Sequence, residues 1–558
     1  MLTHLPLTFW KRCVFCSQDL KNIAAVCTEI YRIVQALRQS RDFSFTSRII
    51  KIPTGWTTGW TTSIMDDQLG MILARFVQKW NLTEFRSTKH TVYFTSGDAE
   101  EVYRICQVIP KEFYVSITFT GSRRENYNGL LTNALKGLGH RFISLDLHDN
   151  DLNSSSAESM IQCLEHTPFL EELNLSNNCF FSDNLQQLTP ALYMLHNLTD
   201  LNVSGNIIHV RNAKTLAPAL SYMTGLLRLN MSGTQMGHIS LNIISKSIMC
   251  MPKLEYLNLG SNWTGENSQY DFALMLQSMP ALTDLDLSFS EIGSEKMNVL
   301  APVISSRTKL KSLNLSGNEL GKYFETPNSV LTIPTLEFLN ISINSISSNG
   351  SSRLAESLET MTSLKELRLR NNEIGTEGCV LLSSPIKKMK MLTTLDIGYN
   401  IESDLTPLIL SLSSLPSLTS LNMSCNERMS DIHALGGLSN LLSLNISDNN
   451  LGEEGATELS LPLSRMTRLT SLDLTSNVIF YNGLISLLET LSSLERLETI
   501  RLACCGLENE SAIVLGNHFQ SLTSLQMLDL SHNQIKKSGY DFLESRLCRQ
   551  ECCLQLIK

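Results

Sequence analysis

Chemistry needs particular side chains at particular spacings, and this chain offers few of them. Cys13 and Cys16 form a lone Cys-x-x-Cys with only His4 and Cys27 nearby. Zinc or redox use would call for a second pair or a βαβ context, so these residues read as ordinary helix cysteines. Gly321-Lys322 is followed by Tyr323, and no matching glycine loop precedes it. A phosphate-cradling P-loop, and with it a nucleotide site, is therefore not expected. No G-x-S-x-G or H-E-x-x-H occurs, and the eleven histidines are dispersed, none beside a recognisable nucleophile. The expectation is a protein that is not an enzyme, with no catalytic residue, no cofactor and no metal.

Binding chemistry remains. Tyr256, Phe289, Phe338, Ile343, Arg368, Arg370 and Tyr399 fall at corresponding places of a repeated unit where other copies carry Asn, Asp or Ser. Aromatic and arginine side chains on a small polar surface have the composition of an interface hot spot. Exposed apolar groups scattered singly also occur on any surface. These seven are the candidate partner-binding residues, and a protein partner is the expected ligand.

The unit that positions them is clearest at Leu310 to Leu320, LKSLNLSGNEL. Apolar residues stand at positions 1, 4, 6 and 11 and Asn318 at position 9, the leucine-rich-repeat signature L-x-x-L-x-L-x-x-N-x-L. Position 1 recurs at Phe142, Leu170, Leu198, Leu226, Leu254, Leu282, Leu310, Leu336, Leu364, Leu392, Leu418, Leu441, Leu469, Leu497 and Leu525. The steps are 28 residues, except two of 26 and one of 23. Positions 4 and 6 alternate as a half-buried strand requires. The stretch after position 11 carries helical spacing, as in Ala157, Met160, Ile161 and Leu164. Strands stack about 4.8 Å apart and helices are about 10 Å wide. The expected fold is an α/β solenoid, a curved horseshoe with parallel strands on its concave face and helices on its convex face. Positions 3, 5, 7 and 8 face the groove.

Asn at position 9 is expected to turn inward and satisfy backbone groups that have no ladder partner. Thr234, Ser290 and Cys505 replace it, so weaker turns are expected there. The 23-residue unit has room for only a short convex turn and should flatten the curvature. Glu402 and Arg428 occupy its neighbourhood at position 11.

Residues 1–90 carry no repeat. Asp19 to Leu37 and Asp66 to Trp80 show helical spacing on either side of a Pro/Gly/Thr loop, which predicts a small helical region. Residues 91–558 form the solenoid, with caps at 91–141 and 538–558 around about fifteen repeats. The first cap should hold strands at Val92–Phe94 and Tyr114–Phe119 with a helix between them. The second should be a final helix with Cys548, Cys552 and Cys553 packed in it.

The chain has 558 residues, 42% hydrophobic and 18% charged, with net charge −9. That length exceeds a single core, which stops growing near roughly 250–300 residues, and suits a repeat array. No basic footprint for nucleic acid is present. No apolar run of about 18 residues predicts a membrane span. The start, MLTHLPLTFWKRC, has no basic leading region, so no secretory signal is expected. The fourteen scattered cysteines then read as free thiols of a reducing, cytoplasmic compartment. Sequons at Asn174, Asn202, Asn230, Asn314, Asn340, Asn422 and Asn445 all fall at position 5, where the repeat itself creates them.

Units such as LKELRLRNNEIGTEGCVLL, Leu364 to Leu382, resemble the ribonuclease-inhibitor-like repeats of NOD-like receptors, the NACHT–LRR innate immune sensors. The lead-in from Val92 to Gly121 resembles that family too. The resemblance implies a ligand-sensing or autoinhibitory repeat region. The NACHT nucleotide-binding motifs are missing, so ATP-driven oligomerisation is not implied. A second resemblance points elsewhere. Leu5-Pro6, Asp19-Leu20 and Val26-Cys27 are similar to an F-box, which docks a Skp1-type protein in a ubiquitin ligase, although Ile30 stands where that motif usually has Trp. A third class, GTPase-activating or inhibitor-type repeat proteins, resembles the activator of Ran; the arginine it would need is not identified.

Overall fold

The computed structural model describes residues 49–52, 91–96, 114–119, 139–150, 164–178, 182–262, 269–327, 329, 331–400, 404–426, 431–547 and 555–557. Nineteen strands join one sheet. Each is parallel to its neighbours in sequence, from β1 (Ile49–Ile52) through β2 (Thr91–Ser96), β3 (Tyr114–Phe119) and β4 (Phe142–Asp146) to β18 (Met527–Asp529) and β19 (Gln555–Ile557). From β5 (Glu172–Asn174) onward each strand is three residues long, repeat positions 3 to 5, and pairs in register with the next. The strands that carry the site are β9 (Asp284–Asp286), β10 (Ser312–Asn314), β11 (Phe338–Asn340), β12 (Glu366–Arg368) and β13 (Thr394–Asp396).

Most of these strands show half-buried, buried, half-buried side chains, as at Ser312, Leu313 and Asn314. A parallel sheet covered on both faces reads as a continuous apolar run. The alternation means that only one face is covered and the other is open. Helices supply the cover. In Gly375–Lys388 the buried residues Gly378, Cys379, Leu382 and Ile386 recur at helical spacing. The core is one continuous cluster from Phe142 to Leu543.

Asn318 shows what the inward asparagine does. It is fully buried. Its Nδ2 donates to the carbonyls of Leu287 (2.8 Å), Leu315 (3.0 Å) and Ser316 (3.2 Å), and its Oδ1 accepts from Ser290 N (3.0 Å) and Ile292 N (3.2 Å). One side chain thus ties two units together. The substitutes do less. Thr234 Oγ1 donates to Met231 O (2.9 Å), Ser290 Oγ reaches Leu259 O only at 3.4 Å, and Cys505 Sγ contacts Leu474 O at 3.3 Å.

Where units shorten, the convex side shrinks to a four-residue helix at Gly321–Phe324, a seven-residue helix at Thr406–Leu412 and a 3-10 turn at Ile432–Gly437. The last of these belongs to the 23-residue unit. Both strands expected in the first cap are present. Two features of the sheet were not expected. β1 lies inside the span read as helical and pairs with β2. At the other end the helix Lys537–Leu547 is followed by β19, which pairs with β18, so the sheet runs one strand further than expected. The helices expected at 19–37, 66–80 and 98–109, the F-box-like segment, Glu402, Arg428 and the cysteines at 548, 552 and 553 lie outside the described residues.

Candidate partner-binding site

The open face of the sheet is mostly self-satisfied. Asn314 Oδ1 accepts from Ser316 N (3.1 Å) and Ser316 Oγ (2.8 Å). The same turn recurs at Asn174, Asn202, Asn340, Asn422 and Asn445, and with aspartate at Asp286, Asp396, Asp473 and Asp529. Position 5 therefore serves the backbone. Its uniformity, and the sequons that come with it, follow from that role. Arg368 stands at this position in β12, and a guanidinium has no acceptor to offer. That unit forgoes the local bond and presents a cation to the groove.

Position 8 is set by the backbone too. The chain turns there with positive φ, and Asn177, Gly205, Gly233, Ser261 and Gly317 fill the slot in neighbouring units. Phe289 (φ 51°), Ile343 (φ 58°) and Tyr399 (φ 58°) occupy it as well. Such a conformation costs an ordinary L-residue about 1–2 kcal/mol, and a β-branched residue is a genuine outlier there. These three side chains are also solvent-facing, at 53%, 43% and 41% exposure. Large apolar groups thus sit where neither burial nor backbone preference asks for them.

They lie in every second unit. Phe289 N–H bonds Ser316 O, Gly317 N–H bonds Ser342 O, Ile343 N–H bonds Arg370 O, and Asn371 N–H bonds Gly398 O. The row runs Phe289, Gly317, Ile343, Asn371, Tyr399. A Cβ on Gly317 would fall 2.4 Å from the Phe289 ring, so the ring lies across that glycine. Gly398 does the same for Arg370, whose Nη1 would meet a Cβ at 2.7 Å.

Both arginines rest on aromatic rings. Arg368 Cζ stands 5.4 Å from the Phe338 centroid and Arg370 Cζ 4.7 Å from that of Tyr399, within cation–π range. Arg368 pairs with Glu366 at 2.6 Å, and Arg370 Nη1 donates to Ser424 Oγ at 3.0 Å. Of the seven candidates, Phe338 with Arg368 and Arg370 with Tyr399 are brought into contact. Ile343 is tied to Arg370 through the backbone, and Phe289 shares the row. Tyr256 stands apart, its ring under Arg228 at 4.1 Å. Arg228 itself pairs with Asp200 at 3.2 Å. Sequence reasoning passed over Arg228, although an arginine at position 3 beside an aromatic was the available signal. It also passed over Asp284 at position 3 and Asp286 at position 5, because Asp286 matches the Asn or Asp usual at its position and Asp284 was not read beside it.

Two titrating groups flank the site. Glu337 accepts from Lys365 and pairs with Lys311 at 3.2 Å. Hydrogen bonds from Lys365 and then Lys311 hold its carboxyl below the usual glutamate range. A depressed carboxyl stabilises the fold above its unfolded pKa and loses that contribution as pH falls through the folded value. Glu337→Gln is therefore expected to melt below wild type at neutral pH, and the gap should close in acid below the ordinary glutamate range, as read by thermal unfolding across pH. Beyond Arg370, the Cys425 thiol touches Asp448 Oδ2 at 3.3 Å. Burial, then the hydrogen bond to Asp448, pushes it up to about 11. A neutral thiol is a poor nucleophile. Maleimide labelling at neutral pH, mapped by peptide mass, should proceed at exposed Cys250 and Cys504, lag at Cys425, and spare buried Cys379 and Cys505.

Among the described residues no group of three or more His, Cys, Asp and Glu could hold a metal, and no helix is long and apolar enough to cross a membrane. The open sheet, the inward asparagines and the one-sided helical cover define a leucine-rich-repeat solenoid, a protein-interaction fold. A family model described as Leucine Rich repeat matches residues 307–322, 360–383, 437–460, 466–488 and 521–540. Over 230 residues, 41% of this chain, the sequence is 28% identical to NACHT, LRR and PYD domains-containing protein 14 of Mus musculus, of which it covers 21%. Over 117 residues, 21% of this chain, it is 29% identical to NLR family CARD domain-containing protein 4 of Rattus norvegicus, covering 11% of that protein. The matched segments thus span about a fifth or less of either relative. Among solved structures, a Leptospira interrogans LRR protein aligns over 83% of this chain and 99% of its own, with 17% identity and a TM-score of 0.43. An internalin of Listeria monocytogenes aligns over 68% of this chain and 89% of its own, with 21% identity and a TM-score of 0.37.

Proposed function

We propose that the chain is a non-enzymatic protein-interaction scaffold whose concave face, at Phe289, Phe338, Ile343, Arg368, Arg370 and Tyr399, binds a protein partner. In this reading it serves as the ligand-sensing or autoinhibitory repeat region of a cytoplasmic NOD-like innate immune receptor. The observation that carries the site is the row of large exposed side chains held at positive φ, where the repeat elsewhere prefers Gly, Asn or Ser. Strain of this kind persists only when something else requires it. The repeat-region likeness to the two NACHT- and CARD-named relatives supports the receptor role. The test of that role is the transcript upstream of Met1, which should encode an in-frame NACHT region. Stoichiometric binding of a Skp1-type protein that is lost on deleting residues 1–40 would instead assign a ubiquitin-ligase adaptor.

A further inference from the structure

Asp284 and Asp286 project from one face of β9, two residues apart. Both are half-buried, and among the described residues their hydrogen-bond partners are neutral. Asp284 Oδ2 accepts from Thr283 Oγ1 at 2.6 Å. Asp286 accepts from Ser288 N and Oγ at 2.9 and 2.7 Å and from Asn314 Nδ2 at 3.0 Å. Three units along, β12 and the turn after it present Arg368 and Arg370. Glu366 answers Arg368, while Arg370 has no carboxylate in ion-pair range among the described residues. Asp396 is the register partner of Arg368 on β13, so the cation left without an ion-pair partner among the described residues is Arg370. An acidic pair with no cation in ion-pair range among the described residues and the Arg370 guanidinium therefore lie along the apolar row, about 14 Å apart at three strand spacings of about 4.8 Å.

The row itself has a period. Phe289, Ile343 and Tyr399 recur every second unit, about 10 Å apart. An extended peptide places same-face side chains about 6.6 or 13 Å apart and misses that spacing. An α-helix advances about 10.5 Å in seven residues and returns to nearly the same face. We propose that the groove takes an amphipathic helix of a partner protein, with apolar anchors at i, i+7 and i+14 against Phe289, Ile343 and Tyr399, a basic residue beside the first anchor at Asp284 and Asp286, and an acidic residue between the second and third at Arg368 and Arg370. The basic and acidic positions lie about nine or ten residues apart on that helix. This rests on the concave-site reading above and adds the partner's secondary structure and charge order.

A displayed library of random 18-residue peptides, selected on the full chain, tests it. The expected winners carry apolar residues at a seven-residue period with basic and acidic residues in the stated order. One winner, synthesised and titrated by anisotropy, should weaken about tenfold against Asp284→Ser with Asp286→Asn, and about tenfold against Arg368→Asn with Arg370→Ser. These substitutions install the repeat's own residues and keep the fold, which equal melting temperatures would confirm. Winners with alternating apolar residues, with charge of one sign, or indifferent to both charge variants would overturn the proposal. If such winners still lose binding on Phe289→Ala with Tyr399→Ala, the concave site stands and only the helix and its charge order fall. If they bind that variant unchanged, both readings fall.

Discussion

Asn318→Ala is expected to lower stability by about 3–5 kcal/mol, because it strands the buried N–H groups of Ser290 and Ile292 at about 1–3 kcal/mol each and also removes the donor to Leu287 O. The loss should show as a lower urea midpoint. It should also show as faster amide exchange at Ser290 and Ile292, one unit before the mutation. The comparison with Ser290 is instructive, since its hydroxyl reaches the carbonyl of Leu259 in the preceding unit only at 3.4 Å. Ser290→Ala should cost far less. A loss below about 1 kcal/mol for Asn318→Ala would mean that water replaces the side chain and that stacking of leucines alone joins the units.

The second large effect concerns binding. Phe289→Ala with Tyr399→Ala should weaken partner binding about 30-fold or more, equivalent to about 2 kcal/mol for even one hot-spot side chain. The melting temperature should hold closely, because both side chains are exposed on the groove and lie outside the core and alanine faces the same positive φ. Ile343→Gly separates the two properties further. Glycine relieves a left-handed conformation that costs about 1–2 kcal/mol, so stability should be unchanged or higher while binding falls. Parallel loss of stability and affinity in these variants would make the row a structural element.

Much of this was legible in the residues. Leu313, Leu315 and Asn318 repeat because each unit must bury the same strand face and close the same turn, so the register from Phe142 to Leu525 could be read directly. The candidate side chains were visible as departures from that repetition. Their pairing was not. That Arg370 folds over Tyr399 while Tyr256 belongs to Arg228 depends on which neighbouring unit each guanidinium reaches, and either direction satisfies the pattern. The positive φ at position 8 was equally hidden, because Gly, Asn and Ser there read as ordinary turn residues until Ile343 is seen to share their backbone. β1 escaped because a four-residue strand ahead of the array has no 28-residue partner, and β19 because, although it keeps the 28-residue step from β18, Cys553 stands where the unit would show its first leucine and no Asn follows.

Photo-crosslinking in cells tests the central claim most directly. A benzophenone amino acid replaces Phe289 or Tyr399 on the concave face, or Tyr222 or Tyr270, each 66% exposed on the helical side. The account predicts a discrete protein adduct from the two concave positions and none from the two helical ones. Adducts of the same partner from the helical positions alone would contradict it.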